Sequence, residues 1–325
     1  MKEKTVGKND SGQRVDRFLK KFMPHAAAGF IYKSIRTKRI KLNGQRTKPS
    51  AILAEGDKLQ LYLDAQDLGR GSSKKVIRKT GMEFSTVYQD ENIMVVNKPP
   101  GLLSHPDGGQ TEALAEQVLY YLYTSGQYDP RRENTFVPAI CNRLDRNTGG
   151  LVIAAKNFAA LQDMNLMIRK GWVERYYKLV VAGHVENSSE ALAYLVKDKK
   201  TNRVRITSEK VEGSSRIHTY YRPLKHSRRG FTLLEARLGT GKTHQIRAHL
   251  AYLGHPVVGD AKYGDKAVNR LLGKDFGLTH QFLYAYRLEF KRTTSLFSYL
   301  DAMKFFAPLP QELKSIEEKL FESVL

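Results

Sequence analysis

The fold of this chain is organised around residues 142–150, which read NRLDRNTGG and place Asp145 between two arginines. An apolar run of strand character, Leu151 to Ala155, follows directly after the two glycines. Positive charge within a few Å favours the ionised form of a carboxylate. An ionised Asp145 at the mouth of a sheet is suited to act as a nucleophile or to stabilise a cation. For this stretch alone, the alternative is an ordinary surface ion pair ahead of a glycine turn.

The charge of the chain predicts a polyanionic partner. Its 325 residues include 54 Lys and Arg against 33 Asp and Glu, a net charge of +21. This excess favours nucleic acid, with an anionic membrane surface as the alternative. No apolar stretch approaches the roughly 20 residues of a membrane span, and the N-terminus lacks the apolar core of a signal peptide. With Cys141 as the single cysteine, an intramolecular disulfide and a cysteine-built zinc site are excluded, and a cytoplasmic location is expected.

Residues 12–64 are predicted to form a small α/β domain. Apolar residues at helical spacing indicate one helix near 15–22 and another near 30–35, and Asn43-Gly44 predicts a tight hairpin turn. A run of cations without an intervening acid covers the second helix and the hairpin: Lys33, Arg36, Lys38, Arg39, Lys41, Arg46 and Lys48. A stripe of one sign on a compact domain favours phosphate contact over a merely solvated face.

This segment resembles the RNA-binding domain first described in ribosomal protein S-four. The resemblance lies in residues 14–19, 33–36, 40–44 and 55–57. It implies that the RNA-facing cations are those of the second helix and the loop after it, Lys33, Arg36, Lys38 and Arg39, and Lys41 extends the same stripe. Residues 65–82 mix Gly and Ser with cations and are predicted to be a flexible basic linker.

Residues 83–325 are predicted to form a larger domain of α+β class with a mixed, mostly antiparallel sheet. Strand patterns outnumber helix patterns, and most connections are hairpin-like. Helices are predicted at 111–123, 158–170, 244–253 and 310–320. Strands are predicted at 84–88, 92–97, 151–155, 175–182, 191–196, 203–207, 216–221, 231–238 and 282–290.

A second informative segment, residues 238–250, reads LGTGKTHQIRAHL. The phosphate-binding loop of ATPases needs a glycine five residues before Gly241, and Ala236 stands there, so an ATP site is rejected. His244, His249 and His255 are spaced by five and six residues, whereas zinc-binding helices use four, so a metal site is rejected too.

A glycine-rich turn that leads into a helix N-terminus remains. Its backbone N–H groups, together with Lys242 and Thr243, suit a phosphate or another anion. Arg247 follows His244 by three residues on the same side of the helix. An arginine so placed can clamp a carboxylate in bidentate geometry, and Asp145 is the candidate partner.

These two segments resemble the RluA-type pseudouridine synthases. Further matching motifs are Asn97–Leu102, Arg175–Tyr177, and Gly254–Asp260 with Tyr263–Asp265, so the resemblance covers nearly the whole chain. It is greatest to the RluC and RluD branch, which acts on large-subunit ribosomal RNA. The chain departs from the family's usual residues at four positions: Asn142 and Tyr284, where the family has His, Asn147, where it has Asp, and Gly149, where it has Ser.

The resemblance implies an enzyme that breaks the bond from uracil N1 to the ribose, turns the base and rejoins it through C5, without a cofactor. Asp145 would attack the sugar or remove a ribose proton, and both routes stay open. Arg247 would keep Asp145 ionised and oriented, and Tyr177 would stack on the target base and assist proton transfer. The expected RNA contacts of this domain are Arg143, Arg146, Lys242 and His244.

Two other functions remain open. One is the same chemistry on transfer RNA, although the N-terminal domain favours ribosomal RNA by analogy. The other is a non-catalytic RNA-binding factor of ribosome assembly, which the departures at Asn142 and Gly149 favour and the retained Asp145, Tyr177 and Arg247 oppose. The chain is expected to be a monomer bound to RNA, with no metal and no membrane contact. The regions 110–135 and 266–280 are expected to hold specificity elements.

Overall fold

The computed structural model describes residues 1–64, 77–109, 111–198, 201 and 203–321. Its helices are α1 (Val15–Phe22), α2 (Ala28–Arg36), α3 (Leu114–Thr124), α4 (Phe158–Arg169), α5 (Gln245–Tyr252), α6 (Lys266–Phe276) and α7 (Gln311–Phe321). Its strands are β1 (Lys2–Thr5), β2 (Ile40–Leu42), β3 (Gln45–Arg46), β4 (Lys58–Leu61), β5 (Ser85–Gln89), β6 (Ile93–Lys98), β7 (Ala139–Ile140), β8 (Gly149–Ala155), β9 (Val173–Ala182), β10 (Ser189–Asp198), β11 (Arg203–Thr207), β12 (Ser215–Ser227), β13 (Phe231–Leu238), β14 (Leu283–Phe290) and β15 (Lys304–Phe306). Most of the predicted linker, residues 65–76, lies outside the described ranges. Within those ranges, no helix has the length and apolar character that crossing a membrane requires.

The first unit is a small antiparallel sheet with the strand order β1-β4-β2-β3, packed against α1 and α2. Val15, Phe18 and Ile35, which the helical spacing assigns to the core, are buried there. Asn43 and Gly44 have φ values of 51° and 78°, which is the tight hairpin turn predicted between β2 and β3. Because β1 pairs with β4, this sheet also takes in residues ahead of position 12, the predicted start of the domain.

The second unit is built on a large sheet with the strand order β11-β10-β12-β13-β9-β14-β8-β6-β5, in which β15 pairs with β14 and β7 with β8. Among the described strands, β14 and β8 pair in parallel and the other pairings are antiparallel. The predicted α+β class with a mixed, mostly antiparallel sheet is therefore confirmed.

This sheet has an apolar core on each face, because successive side chains of a strand point to opposite faces. Val180 of β9 belongs to the core that includes side chains of α4 and α7. Its neighbours Leu179 and Val181 belong to the core that includes side chains of α3 and α5. The glycine-rich segment ahead of α5 therefore lies on the second of these faces.

Two glycines let β8 start directly against β14. In the parallel ladder, Gly149 pairs with Tyr284 and Gly150 with Ala285. Gly150 has a φ of 116°, and a Cβ there would lie 2.2 Å from the Ala285 carbonyl oxygen. A Cβ on Gly149 would lie 2.8 Å from Cε2 of Tyr284. Gly149 and Tyr284, two of the departures from the family pattern, are thus in direct contact, and the loop that carries Asp145 enters the sheet between β14 and β6.

Candidate active site

A cavity of about 490 Å³ opens beside the organising stretch. It is lined by the loop ahead of β8, by β9 and by the glycine-rich loop ahead of α5. The three residues predicted to be catalytic and three predicted RNA contacts line it: Asp145, Tyr177, Arg247, Arg143, Lys242 and His244. The volume falls within the roughly 300–1,000 Å³ typical of sites for small organic ligands.

The other predicted RNA contacts lie outside the lining of this cavity. Nε of Arg146 donates to the Gly101 carbonyl at 3.1 Å. The remaining cations belong to the first unit, where Lys33, Arg36 and Lys38 are exposed and Arg39 and Lys41 are half-buried. The structure therefore separates the predicted contacts into a group at the cavity and a group on the small unit.

Arg247 lies between two carboxylates. Its Nη1 donates to Oδ2 of Asp145 at 2.8 Å, whereas its Nε and Nη2 donate to the two oxygens of Asp260 at 2.7 and 2.8 Å. The predicted contact between Arg247 and Asp145 is present, but the bidentate clamp holds Asp260. The fully buried Asp260 side chain also accepts the backbone N–H groups of Lys262 and Tyr263 at 2.8 and 3.1 Å. The guanidinium is thus fixed from one side and presents Nη1 to Asp145.

The contacts of this arginine outweigh the effect of its burial. Burial would lower the pKa of Arg247, but the hydrogen bonds and charges of Asp260 and Asp145 raise it above its usual value. Burial would likewise raise the pKa of Asp260, but the hydrogen bonds from Arg247 hold it below the usual range. Arg247 and Asp260 are therefore both ionised at neutral pH, and Asp145 faces a permanent cation.

His244 lies beside the second oxygen of Asp145, with Nε2 4.0 Å from Oδ1. Its Nδ1 is 2.9 Å from the Tyr263 hydroxyl, which accepts the N–H of Val204 at 2.9 Å. The Tyr263 hydroxyl thus holds one side of the imidazole ring while the other side faces Asp145. Burial lowers the pKa of His244 although Asp145 acts to raise it, so the ring is neutral at neutral pH. The structure thus brings this predicted RNA contact next to Asp145.

Tyr177 supplies an aromatic wall of the cavity and is 4% exposed. Burial raises the pKa of its hydroxyl, while the charge of Arg175 lowers it and that of Asp145 raises it. The hydroxyl is a neutral phenol with no hydrogen-bond partner among the described residues. It is therefore available to a molecule that enters the cavity.

Several cations of the cavity have no carboxylate partner in the described part of the chain: Arg143, Arg169, Arg175 and Lys242. Nε of Arg175 is buried without a hydrogen-bond partner. Gly241 makes room for this guanidinium, since a Cβ there would lie 2.9 Å from its Nη1. Arg169 and Arg175 are absent from the predicted contacts, although the motif at 175–177 was a signal for the second. Cations without a carboxylate partner are suited to bind phosphate groups, which accept hydrogen bonds from guanidinium and ammonium.

A buried lysine holds the loop that carries Asp145. Lys98, at the end of β6, is fully buried, and its ammonium donates to the carbonyls of Pro99, Leu102 and Arg146 at 2.9, 2.7 and 3.0 Å. Burial lowers its pKa to about 7, against the nearby charge of Asp145. Only the protonated amine has an N–H group for each of the three carbonyls, so the geometry fits the charged form. Lys98 thereby ties the residue after Asp145 to the turn after β6.

The departure at Asn142 has a structural explanation. Its Oδ1 accepts the N–H of Ile153 at 2.8 Å, and its Nδ2 donates to the Leu151 carbonyl at 3.3 Å. The buried amide therefore pairs with the backbone of β8 as a neighbouring strand would. Asparagine at this position leaves the contact between Asp145 and Arg247 intact.

Residues 92–252 match the family model described as RNA pseudouridylate synthase. The chain is 30% identical over 257 residues to an uncharacterized RNA pseudouridine synthase of Aquifex aeolicus, a match that covers 78% of each chain. It is 28% identical over 322 residues to ribosomal large subunit pseudouridine synthase C of Haemophilus influenzae, covering 98% of this chain and 95% of that relative. The solved structure of human RNA pseudouridylate synthase domain containing 4 shares the fold, with a TM-score of 0.56 and 22% identity over 73% of this chain and 92% of that one. The chain belongs to the RNA pseudouridine synthase family and is an isomerase that acts on RNA.

Proposed function

We propose that this enzyme converts specific uridines of large-subunit ribosomal RNA to pseudouridine, with Asp145 as the catalytic carboxylate. The observation that carries the proposal is the 2.8 Å contact of Asp145 with a guanidinium that Asp260 fixes in place. The ribosomal substrate is supported by the name of the Haemophilus influenzae relative, which matches along 98% of this chain. A monomer working in the cytoplasm completes the proposal.

Asp145 would act on the ribose of a uridine held in the cavity. As a nucleophile it would bond to C1′ while the bond from C1′ to N1 breaks, and as a base it would instead take a ribose proton to give a glycal. Arg247 would orient the carboxylate through its 2.8 Å contact in both routes. The freed uracil then turns and C5 bonds to C1′. In the first route the bond from C1′ to Asp145 breaks at this step, and in the second Asp145 returns the ribose proton. In both routes C5 then loses a proton and N1 gains one.

Tyr177 would serve as a wall and hydrogen-bonding partner for the turning base. A base stacked on an aromatic ring gains about 1–3 kcal/mol. Because burial raises the pKa of Tyr177, its hydroxyl stays protonated and can relay a proton but does not act as a phenolate base. Asp145 would accept the proton that leaves C5.

The unpartnered cations of the cavity and the cations of the first unit would hold the RNA backbone. Taking a uridine out of its stack costs a few kcal/mol, which such contacts offset. Arg143 and Lys242 would act at the cavity, together with Arg146 beside it. Lys33, Arg36, Lys38, Arg39 and Lys41 would bind flanking phosphates. This electrostatic part of the affinity weakens as salt rises.

Pseudouridine mapping of large-subunit ribosomal RNA tests the proposal. Cells that lack this gene would be complemented with the wild type or with Asp145→Asn. We expect specific pseudouridines to disappear and only the wild type to restore them. A ribosomal map that stays unchanged, with sites lost from transfer RNA, would move the substrate to transfer RNA. If neither map changes while the protein still binds RNA, the catalytic proposal is wrong and a binding factor takes its place.

A further inference from the structure

The first unit is joined to the large domain by side chains of residues 9–13. Asp10 accepts hydrogen bonds from the Thr135 hydroxyl at 2.6 Å and from the Asn134 amide at 2.8 Å. Gln13 donates to the same Thr135 hydroxyl at 3.1 Å. Asp10 is only 1% exposed, so its carboxylate depends on these donors from the large domain in place of water.

Asn9 extends the contact to a second segment of the large domain. Its amide nitrogen donates to Glu133 at 2.7 Å, and its amide oxygen accepts the backbone N–H of Phe158 at 3.2 Å. The ammonium of Lys21 lies 5.1 Å from the centre of the Phe158 ring, a cation–π contact. One amide side chain of the small unit therefore bridges residues that are 25 positions apart in the large domain.

The two contacted segments enclose the part of the chain that carries Asp145. Residues 133–135 come just before β7, and Phe158 begins α4 just after β8. The hairpin of β7 and β8, with the loop of Asp145 between its strands, lies between them. A unit attached only through a basic linker would take many orientations. Here several directional hydrogen bonds meet at one interface, with a buried carboxylate at its centre. They favour a single orientation of the small unit.

We infer that the small unit works in this docked orientation, and that Asn9, Asp10 and Gln13 are positioning residues that fix its cationic helix relative to Asp145. This inference rests on the proposed function, since it assumes that RNA contacts both units. An RNA long enough to reach both then meets one rigid surface, and its second contact is intramolecular. Fixing two binding units in a matching geometry raises the overall affinity without any new contact.

A pair of engineered cysteines tests the docked orientation in one protein. Asp10→Cys together with Thr135→Cys removes the central hydrogen bonds, and oxidation of the two thiols to a disulfide then restores the connection covalently. The wild type, whose single cysteine is Cys141, is treated in parallel as the control for reaction at that thiol. Two substrates are compared, a ribosomal RNA fragment that spans the flanking helices and a stem-loop that fills only the cavity.

Before cross-linking, we expect KM for the long fragment to rise roughly tenfold, with kcat unchanged and the stem-loop unaffected. Cross-linking should return KM to the wild-type value. Glu55→Ala is the matched control, since it removes an exposed acid of the same unit that has no hydrogen-bond or ion-pair partner among the described residues. It should leave KM unchanged.

The inference is overturned if the cross-linked protein turns over the stem-loop normally but loses the long fragment, because the unit must then move in order to work. It is equally overturned if the double cysteine variant keeps the wild-type KM before cross-linking. Absence of turnover by the wild type on both RNAs would instead defeat the proposed function. The docked orientation is then tested by the dissociation constant of the long fragment. It should rise in the double cysteine variant and return to the wild-type value after cross-linking.

Discussion

Two cavities of nearly equal volume lie on opposite faces of the large sheet, and they differ in whether their cations are paired with carboxylates. Tyr177 lines the cavity of about 490 Å³ beside Asp145, which is the proposed catalytic cavity. Its neighbour Tyr176 on the same strand lines the second cavity, of about 510 Å³. In the second cavity, Arg222 and Arg287 hold Glu235 at 2.7 and 3.0 Å. In the catalytic cavity, Arg247 is paired with Asp145 and Asp260. Four other cations of this cavity have no acidic partner within the described ranges: Arg143, Arg169, Arg175 and Lys242.

In the second cavity, arginine side chains also contact aromatic rings. The guanidinium of Arg237 pairs with Glu174 at 2.6 Å and lies 3.7 Å from the centre of the Tyr220 ring. Arg287 lies 3.9 Å from the centre of the Tyr176 ring. A polyanion would have to displace glutamates there, whereas the catalytic cavity offers it cations that lack a partner. Similar composition and volume therefore predict different roles once the pairing of each charge is known.

The largest expected effect is that of removing the Asp145 charge from the catalytic cavity. Asp145→Asn should lower the rate by roughly 10⁴-fold or more, because a carboxamide is neither a nucleophile nor a base. Release of tritium from C5-labelled RNA under single-turnover conditions measures it. RNA affinity should be retained, since the variant removes a negative charge. Turnover within tenfold of the wild type would contradict the catalytic role.

One substitution on each face separates a catalytic ion pair from a structural one. Asp260→Asn leaves Arg247 buried without its bidentate partner and should cost about 3–5 kcal/mol of unfolding free energy, together with a lower kcat. Glu235→Gln weakens the pairs with Arg222 and Arg287 in the second cavity and should lower stability while kcat is kept. Denaturant unfolding and single-turnover rates, measured on the same preparations, test this. Equal losses of kcat in the two variants would erase the distinction between the faces.

The two faces should also differ in their response to acid. Burial lowers the pKa of His249 from 6.5 to about 4, so the unfolded chain takes up this proton first and stability falls between pH 6.5 and 4, by up to about 3 kcal/mol. On the other face, burial would raise the pKa of Glu289, but Lys291 and its other basic neighbours hold it below 4.5. Its contribution is therefore full above pH 4.5 and is lost only below it. Thermal melts of His249→Gln should vary less between pH 6.5 and 4 than those of the wild type, and an unchanged pH dependence would refute the assignment.

The smallest expected effect concerns two cations that carry the same charge. Lys242→Ala should raise KM for RNA several-fold and make the salt dependence of binding shallower by about 0.7 for one lost phosphate contact. Arg222→Ala removes an equal charge from the second cavity, where Glu235 already pairs with it. We expect its KM and salt slope to match those of the wild type. Equal effects of the two changes would mean that net charge, and not pairing, governs RNA binding.

The two central residues of the site were predictable from local sequence, but the residue that holds Arg247 in place was not. Asp145 and Arg247 follow from a glycine turn and from helical spacing, although they are 102 residues apart. Asp260 ends one of the family-like motifs, but no local pattern predicts that the guanidinium of Arg247 makes its bidentate contact with this carboxylate. The pairing of β9, β12, β13 and β14 that gathers the charges of the second cavity is likewise a property of the sheet and not of one segment.

Two secondary-structure elements were not predicted, for different reasons. The Lys2–Thr5 strand has no apolar alternation and exists because it pairs with β4, a long-range contact. The helix Lys266–Phe276 had readable signals at its ends. Asp265 accepts the N–H groups of Ala267 and Val268 at 2.7 and 2.9 Å, and Gly277 has a φ of 72°. An aspartate before a segment and a glycine after it are the expected boundaries of a helix.

The contact between Gly149 and Tyr284 constrains how this chain can change over evolutionary time. Any side chain at 149 would meet the tyrosine ring at 2.8 Å, with Pro100 and the Lys98 carbonyl at 3.0 and 3.1 Å. Tyr284→His relieves the shortest of these contacts, so Gly149→Ser is expected to be less destabilising after Tyr284→His than before it. The reverse order passes through a strained intermediate beside the residues that hold Asp145. The effects of substitutions at the two positions are therefore expected not to add.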